Sequence, residues 1–468
     1  MGKQDVQLMA HLLRRAGFGA TRQEIEQYVH KGYQETVEEL LNPSETSWIG
    51  DFLVRRFDLE ASGTITAPGA ARSWIYQMVT TTAPLQEKMT LFWHSVFATG
   101  VPKVINGRVL KDQISMFRKF GLTKLDTMLL ELSRDPAMIV WLDTQDNHNG
   151  AINENWGREL LELFSMGVGS YSEEDIKECA RAFTGWSIAN TEYMMVRSKR
   201  DSDWPYGRIA YHYEYKPEDH DEGDKTFLGH TGNFNGGDII EIICRQPSTA
   251  KFIARHLYHF FVADEPPVPS WPYIPPRDPK AIDALVKSYY DSDFDIREML
   301  RVLFNSNFFK ASDAQYQKVK SPAEFVVSIL KMTKEFETPK REMLMTYNQI
   351  GWMGQNLLNP PSVEGWHQGT EWLDTGTLIE RLNFASEQFG DINKPGVKAI
   401  VKSVIENSTD QDDAEGLVDQ CLDQMGAITV SEQTRDILLN HARQGDRTEE
   451  DLTQLLRLTA ASKEFQRA

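Results

Sequence analysis

Apolar side chains recur every three to four residues along most of this chain, the spacing of helices that bury one face. Val6, Leu8, Met9, Leu12 and Leu13 set such a face over residues 5–16, where Gly17 and Gly19 end it. Thr21 then caps a second helix carrying Ile25 and Val29, so the first 45 residues read as a helical hairpin. Pro84 suits the first turn of a helix through Glu87, Met89, Leu91, Trp93 and His94, ended by Gly100 and Pro102. Two helices are expected over 108–133 and another over 154–166, and Ser172 with Asp175 forms a capping box for one running through Cys179 and Phe183 to Gly185. From about 188 to 235 the texture changes to Tyr-rich alternation, as in Ile209 to Tyr215, set among Gly, Asp and Asn; this predicts a loop-rich insertion with short hairpins. Helical spacing resumes at 237–263, 280–308, 321–337 and 378–390, with a Gly- and Trp-rich loop over 351–377.

The pattern therefore predicts a mainly α fold: a multi-helix globular core, a loop-rich insertion with short β hairpins, and a small helical extension at the C-terminal end. Expected divisions are 1–187, 188–236, 237–394 and 395–468, with the Pro-rich stretch 265–279 as a stiff linker. At 468 residues the chain exceeds the size one core usually reaches. A formal charge of −18 argues against nucleic acid as a partner, because phosphate contacts need clustered Lys and Arg. Cys179, Cys244 and Cys421 lie far apart without a CxxC pattern, so they read as small buried hydrophobes rather than a disulfide or zinc framework. No apolar run is long enough to span a membrane, and the first residues lack an apolar signal core; Val6 also stands where a myristoylation signal wants Ser or Thr. As written the chain is expected in the cytoplasm, or exported if a signal was removed.

The segment Asn153 to Leu163 concentrates the candidate chemistry. At roughly 100° per residue, Glu154, Arg158 and Glu162 share a polar stripe about 80° wide, while Trp156, Leu160, Leu161, Leu163 and Phe164 take the other side. Three readings stay open: a surface ion-pair ladder, a buried network joining two helices, or a cleft in which Arg158 pins two carboxylates as acid, base or cation ligands. His94 follows Glu87 by seven residues, so both face one way among aromatics; it is a satisfied core histidine or a metal ligand or general base facing the acidic helix. HExxH, GxSxG, Walker A and strand-linked dinucleotide motifs are absent, and the one ExxH, Glu364 to His367, sits in a Gly-rich loop. Gly185-Trp186, Gly351-Trp352, Gly365-Trp366, Trp204-Pro205-Tyr206 and Trp271-Pro272-Tyr273 serve as core pieces or as platforms for flat ligands such as sugar rings.

Several strings, in this order, carry a resemblance: Leu12-Leu13-Arg14-Arg15-Ala16-Gly17-Phe18-Gly19, Met89 to His94, Asn153 to Glu162, Ala182-Phe183-Thr184-Gly185-Trp186, His220-Asp221 with Lys225 and Leu228-Gly229, Gly365-Trp366 and the closing Ser462-Lys463-Glu464-Phe465-Gln466. Together they resemble a bacterial family known as domain of unknown function 1800. The resemblance implies relatives but no agreed activity, and many members resemble exported proteins. His367 stands where the family is expected to carry Pro, so no role is placed on it. Within the acidic stretch 219–225, the family motif singles out His220 and Asp221, with a solvated turn as the plain alternative.

The leading expectation is a hydrolase-like enzyme in which Glu154, Arg158, Glu159, Glu162 and His94 act in a cleft between the helical core and the insertion. A divalent metal ion is the cofactor candidate, with His94, Glu154, Glu162, His220 and Asp221 as its ligands, and the substrate is a small molecule or a polymer such as a glycan. The alternative is a non-catalytic binding or assembly protein using the polar helix and the Trp-rich loops.

Overall fold

A computed structural model describes residues 2–43, 66–104, 106–189, 211–266, 274–336, 338, 340, 342–407 and 414–468. Trp204-Pro205-Tyr206, Trp271-Pro272-Tyr273 and much of the Pro-rich stretch lie outside them. The described residues form 22 α-helices and two small antiparallel strand pairs, so the protein is mainly α with short hairpins.

Local signals set many helix ends. Thr21 and Glu24 make a reciprocal capping box at the start of Arg22–Lys31, and Ser172 with Asp175 does the same for Glu173–Ala182. The expected N-terminal hairpin is instead three helices, Lys3–Arg15, Arg22–Lys31 and Tyr33–Leu41. Gly32 breaks the second from the third at φ 103°, a conformation that glycine adopts without a Cβ penalty. The acidic helix is shorter than expected, Asn155–Glu162, and the chain turns through 163–167 to Gly167 at φ 73°.

The helix Pro84–Val96 runs through the middle of the core and is buried on nearly all sides. It packs on Tyr33–Leu41, Ala67–Thr80 and Gly107–Phe120. Its two charged residues are compensated in place: Glu87 pairs with Arg118 and accepts the Trp74 indole N–H at 3.1 Å, and Lys88 pairs with Glu324. Another layer comprises Gly236–Cys244, Pro247–Phe261, Pro279–Asp291 and Ile296–Asn305, where the Tyr289 hydroxyl donates to the Cys244 carbonyl at 2.8 Å. All three cysteines are free and buried.

The C-terminal helices join the same apolar cluster, which runs without a break from Val6 to Phe465. Thr375–Gly390 lies along Glu449–Ala461, and Phe465 sets its ring edge-on to Phe325 and Phe389, each 6.0 Å away. The last residues bond back to the chain ahead of Pro322–Thr333: the Lys320 N–H donates to the Gln466 carbonyl at 3.0 Å, and that of Ala468 to Lys318 at 2.9 Å.

The β structure begins earlier than the insertion boundary suggested. His212–Tyr215 pairs with Trp186–Ala189, Trp186 opposite Tyr215, because the Trp-led strand is buried and offers the alternating segment a core-facing partner. Lys225–Phe227 and His230–Gly232 form a second hairpin. Among the described residues no helix is long and apolar enough to cross a membrane.

Candidate functional site

The acidic helix docks through Trp156, Gly157, Leu160 and Leu161. At Gly157 the helix approaches Glu173–Ala182 so closely that a Cβ would lie 3.0 Å from the Ile176 carbonyl oxygen and 3.2 Å from the Ala180 nitrogen. That contact fixes the charged face and splits it in two. On one flank Arg158 reaches Glu154 at 3.2 Å and the exposed Glu173 at 2.8 Å, a solvated ion-pair cluster of modest worth. On the other, Glu162 accepts the Tyr171 hydroxyl at 3.1 Å, and the carboxylate of half-buried Glu159 forms no hydrogen bond among the described residues. Burial first, then the neighbouring Glu162, and also Glu364, push the Glu159 carboxyl up to about 7 against the opposing pull of Arg158.

Glu159 precedes Leu163 by one helical turn, and Leu163 lines a cleft of about 340 Å³. The end of Pro84–Val96, the helix Pro247–Phe261 and the loop 364–371 enclose the rest. Gly365, at φ 85°, makes the loop possible: a Cβ there would lie 2.5 Å from the Ser95 carbonyl oxygen. Arg255, His256, His259, Glu265, Glu364 and Gln368 supply the polar lining. Arg255 is anchored to the Ile274 carbonyl at 3.1 Å and lies 3.5 Å from Glu265. His259 accepts the Glu265 backbone N–H at Nδ1 (2.9 Å), and its Nε2 lies 3.0 Å from both Gln368 Oε1 and Lys318 Nζ. Burial and the adjacent Lys318 ammonium hold His259 well below the usual imidazole range. His256 is pushed down to about 4 by burial and Arg255, and its buried Nε2 has no hydrogen-bond partner among the described residues. The cleft thus offers neutral imidazoles, a guanidinium and carboxylates, a set able to bind a polar group and move a proton.

The structure does not gather the expected metal ligands. His94 is fully buried one layer under the cleft, its Nε2 accepting the Leu358 backbone N–H at 3.2 Å and its ring edge-on to Trp74 and Trp366. Burial pushes it down to about 3, so it is neutral. His220 and Asp221 belong to a different joint. His220 Nδ1 donates to the Thr184 carbonyl at 2.9 Å, Asp221 accepts from Nε and Nη2 of Arg181 at 2.7 and 3.1 Å, and buried Lys225 donates to the Asp221 and Gly223 carbonyls. These bonds pin the insertion to Glu173–Ala182. His94, Glu154, Glu162, His220 and Asp221 each take separate protein partners. Among the described residues no group of three or more His, Cys, Asp and Glu side chains stands close enough to hold a metal ion.

Glu364, Arg255, His256 and His259 were not among the expected site residues. The signal for the histidines is their i, i+3 spacing, which puts both on one face of Pro247–Phe261. Trp186 and Trp366 are buried core pieces, whereas Trp352 is 54% exposed.

Fold and cleft together define a mainly helical protein with a polar, carboxylate-flanked hollow beside its central helix. More particularly, the chain belongs to the family described as protein of unknown function DUF1800, which it matches over residues 11–467. No curated protein and no solved structure matches it.

Proposed function

We propose that the protein is a hydrolase-like acid–base enzyme working in the cleft beside Glu159. The observation that carries this reading is the electrostatic coupling of Glu159 to Glu162 and to Glu364, the last of which lines a hollow together with His256, His259 and Arg255. Closely spaced carboxylates cannot all ionise cheaply, so one retains its proton near neutral pH. Glu159 is that proton donor, Glu364 is the partner that receives a proton or activates water, and Arg255 with the imidazoles binds the polar group of the substrate. Glu154 and Arg158 hold the helix end from the solvent side, and His94 supports Trp366 beneath the cleft.

The test is a panel of 4-nitrophenyl esters, phosphates and glycosides assayed from pH 5 to 9 with wild type, Glu159→Gln and Glu364→Gln. Turnover of at least one class is expected, falling above about pH 7, with kcat reduced roughly 10²–10⁴-fold in either variant. Carboxyl ¹³C NMR should show Glu159 titrating near pH 7 and at lower pH in Glu364→Gln. A Glu159 midpoint in the ordinary carboxylate range removes the proton donor. Failure to turn over every class leaves the binding or assembly alternative instead.

A further inference from the structure

The two ends of the chain meet at a second, smaller cavity of about 20 Å³, whose lining shares no residue with the cleft. Arg14, Phe18 and Gly19 line it from the N-terminal side and Glu464 and Phe465 from the C-terminal side, with Lys88 and Lys320 between them. Its charge is unbalanced. Arg14, Arg15, Lys88, Lys320 and Arg381 are each at most 8% exposed, while the carboxylates buried with them are Glu324 and Glu464. Glu324 pairs with Lys88, and Glu464 is occupied by the Ser431 N–H and the Thr434 hydroxyl, both at 3.1 Å.

The guanidinium of Arg14 is only partly used. Its Nη1 donates to the Gly426 carbonyl at 3.1 Å and its plane lies over the Tyr316 ring, yet Nε and Nη2 have no hydrogen-bond partner among the described residues. One nitrogen each of Arg15 and Arg381 is in the same condition. Lys320 donates to the Phe465 carbonyl at 2.8 Å and forms no ion pair among the described residues. Buried cations with idle donors are costly unless a counter-charge joins them. The volume is that of roughly one water-sized occupant, which needs about 10–15 Å³, and is too small for a tetrahedral oxyanion.

We propose that this cavity is a halide site, occupied by a single chloride ion held by Arg14 and Lys320, which ties the two ends of the chain together. Chloride supplies one negative charge without requiring a hydrogen-bond donor of its own. Burial drives Lys320 well below the usual ammonium range, and a neighbouring anion opposes that shift.

Thermal unfolding in sodium chloride, bromide, phosphate and gluconate at matched ionic strength, together with crystals grown in bromide, tests the assignment. Chloride and bromide should raise Tm saturably, by about 3 °C at a hundredfold excess over Kd, with no equivalent rise in gluconate or phosphate. A bromide anomalous peak should lie between Arg14 and Lys320, and Arg14→Met should abolish the halide-specific rise. Equal responses to chloride and gluconate, a response to phosphate alone, or a bromide map without that peak would each overturn it. If Arg14→Met does not fold, the wild-type bromide map decides.

Discussion

Neutralising Glu324 isolates what one carboxylate does for the buried cations around it. Glu324 is 5% exposed at the first turn of Pro322–Thr333, where one oxygen caps the Ser321 N–H at 2.7 Å and the other pairs with Lys88. Glu324→Gln keeps the shape and the capping acceptor but strips the charge facing Lys88 and Arg15. Leaving a buried partner uncompensated costs about 3–5 kcal/mol. The unfolding entropy is about 2.1 cal/mol/K per residue, or roughly 1 kcal/mol/K for the whole chain, so Tm at pH 7 should fall by about 3–5 °C. The penalty has a pH signature. Burial alone would raise the Glu324 carboxyl, yet Lys88 and Arg15 hold it down at about 2. Its contribution is therefore complete above the unfolded value near 4.5 and is lost as pH falls from there through about 2. At the other end, burial pushes Lys88 down to about 8, so above that pH the folded state no longer carries the ammonium that Glu324 compensates. Scanning calorimetry of both proteins between pH 4.5 and 9.5 should show the gap widest near neutrality and narrower at pH 9.5. A gap below 1 °C at pH 7, or one that stays constant to pH 9.5, would refute the argument that Glu324 acts through this charge pairing.

Two further consequences concern packing and burial. At Gly396 a Cβ would lie 2.0 Å from the Met332 carbonyl oxygen, whereas at Gly351 the nearest atom is the Asn356 side-chain oxygen at 3.4 Å. Gly396→Ala should therefore cost about 1–3 kcal/mol, while Gly351→Ala, in the helix Met343–Trp352, should be neutral to mildly stabilising; urea midpoints that place the two alike count against the close-approach reading. His94 is held neutral at about 3 in the fold but takes up a proton near 6.5 once unfolded, so it withdraws stability as pH falls below 6.5. His94→Gln keeps an acceptor for the Leu358 N–H and lacks that liability, so relative to wild type it should gain about 2 kcal/mol on going from pH 8 to pH 5. An unchanged difference between the two pH values in urea unfolding would show that His94 is not buried neutral.

Periodicity exposed the helices because their determinants are local. The boxes at Thr21 and Ser172, the proline at 84 and the apolar stripes act within a turn or two, so they can be read along the chain. The cleft depends on another kind of information. A helical wheel groups Glu154, Arg158 and Glu162, but it cannot say which neighbour each flank meets. Glu173 claims Arg158, while Glu159 approaches Glu364, more than two hundred positions away in the chain. His94 likewise finds its acceptor role at Leu358, 264 positions on. The family motifs were legible as a pattern and opaque as to role for the same reason. Gly365-Trp366 is spelled by the close pass over Ser95, His220-Asp221 by Thr184 and Arg181, and Arg14 and Phe465 by a cavity that neither end of the chain can build alone. Several of the most recognisable strings are thus joints between distant segments. The proposed chemistry falls instead beside them, on half-buried Glu159 and on Glu364 at the edge of the cleft, whose carboxylates take no side-chain partner among the described residues.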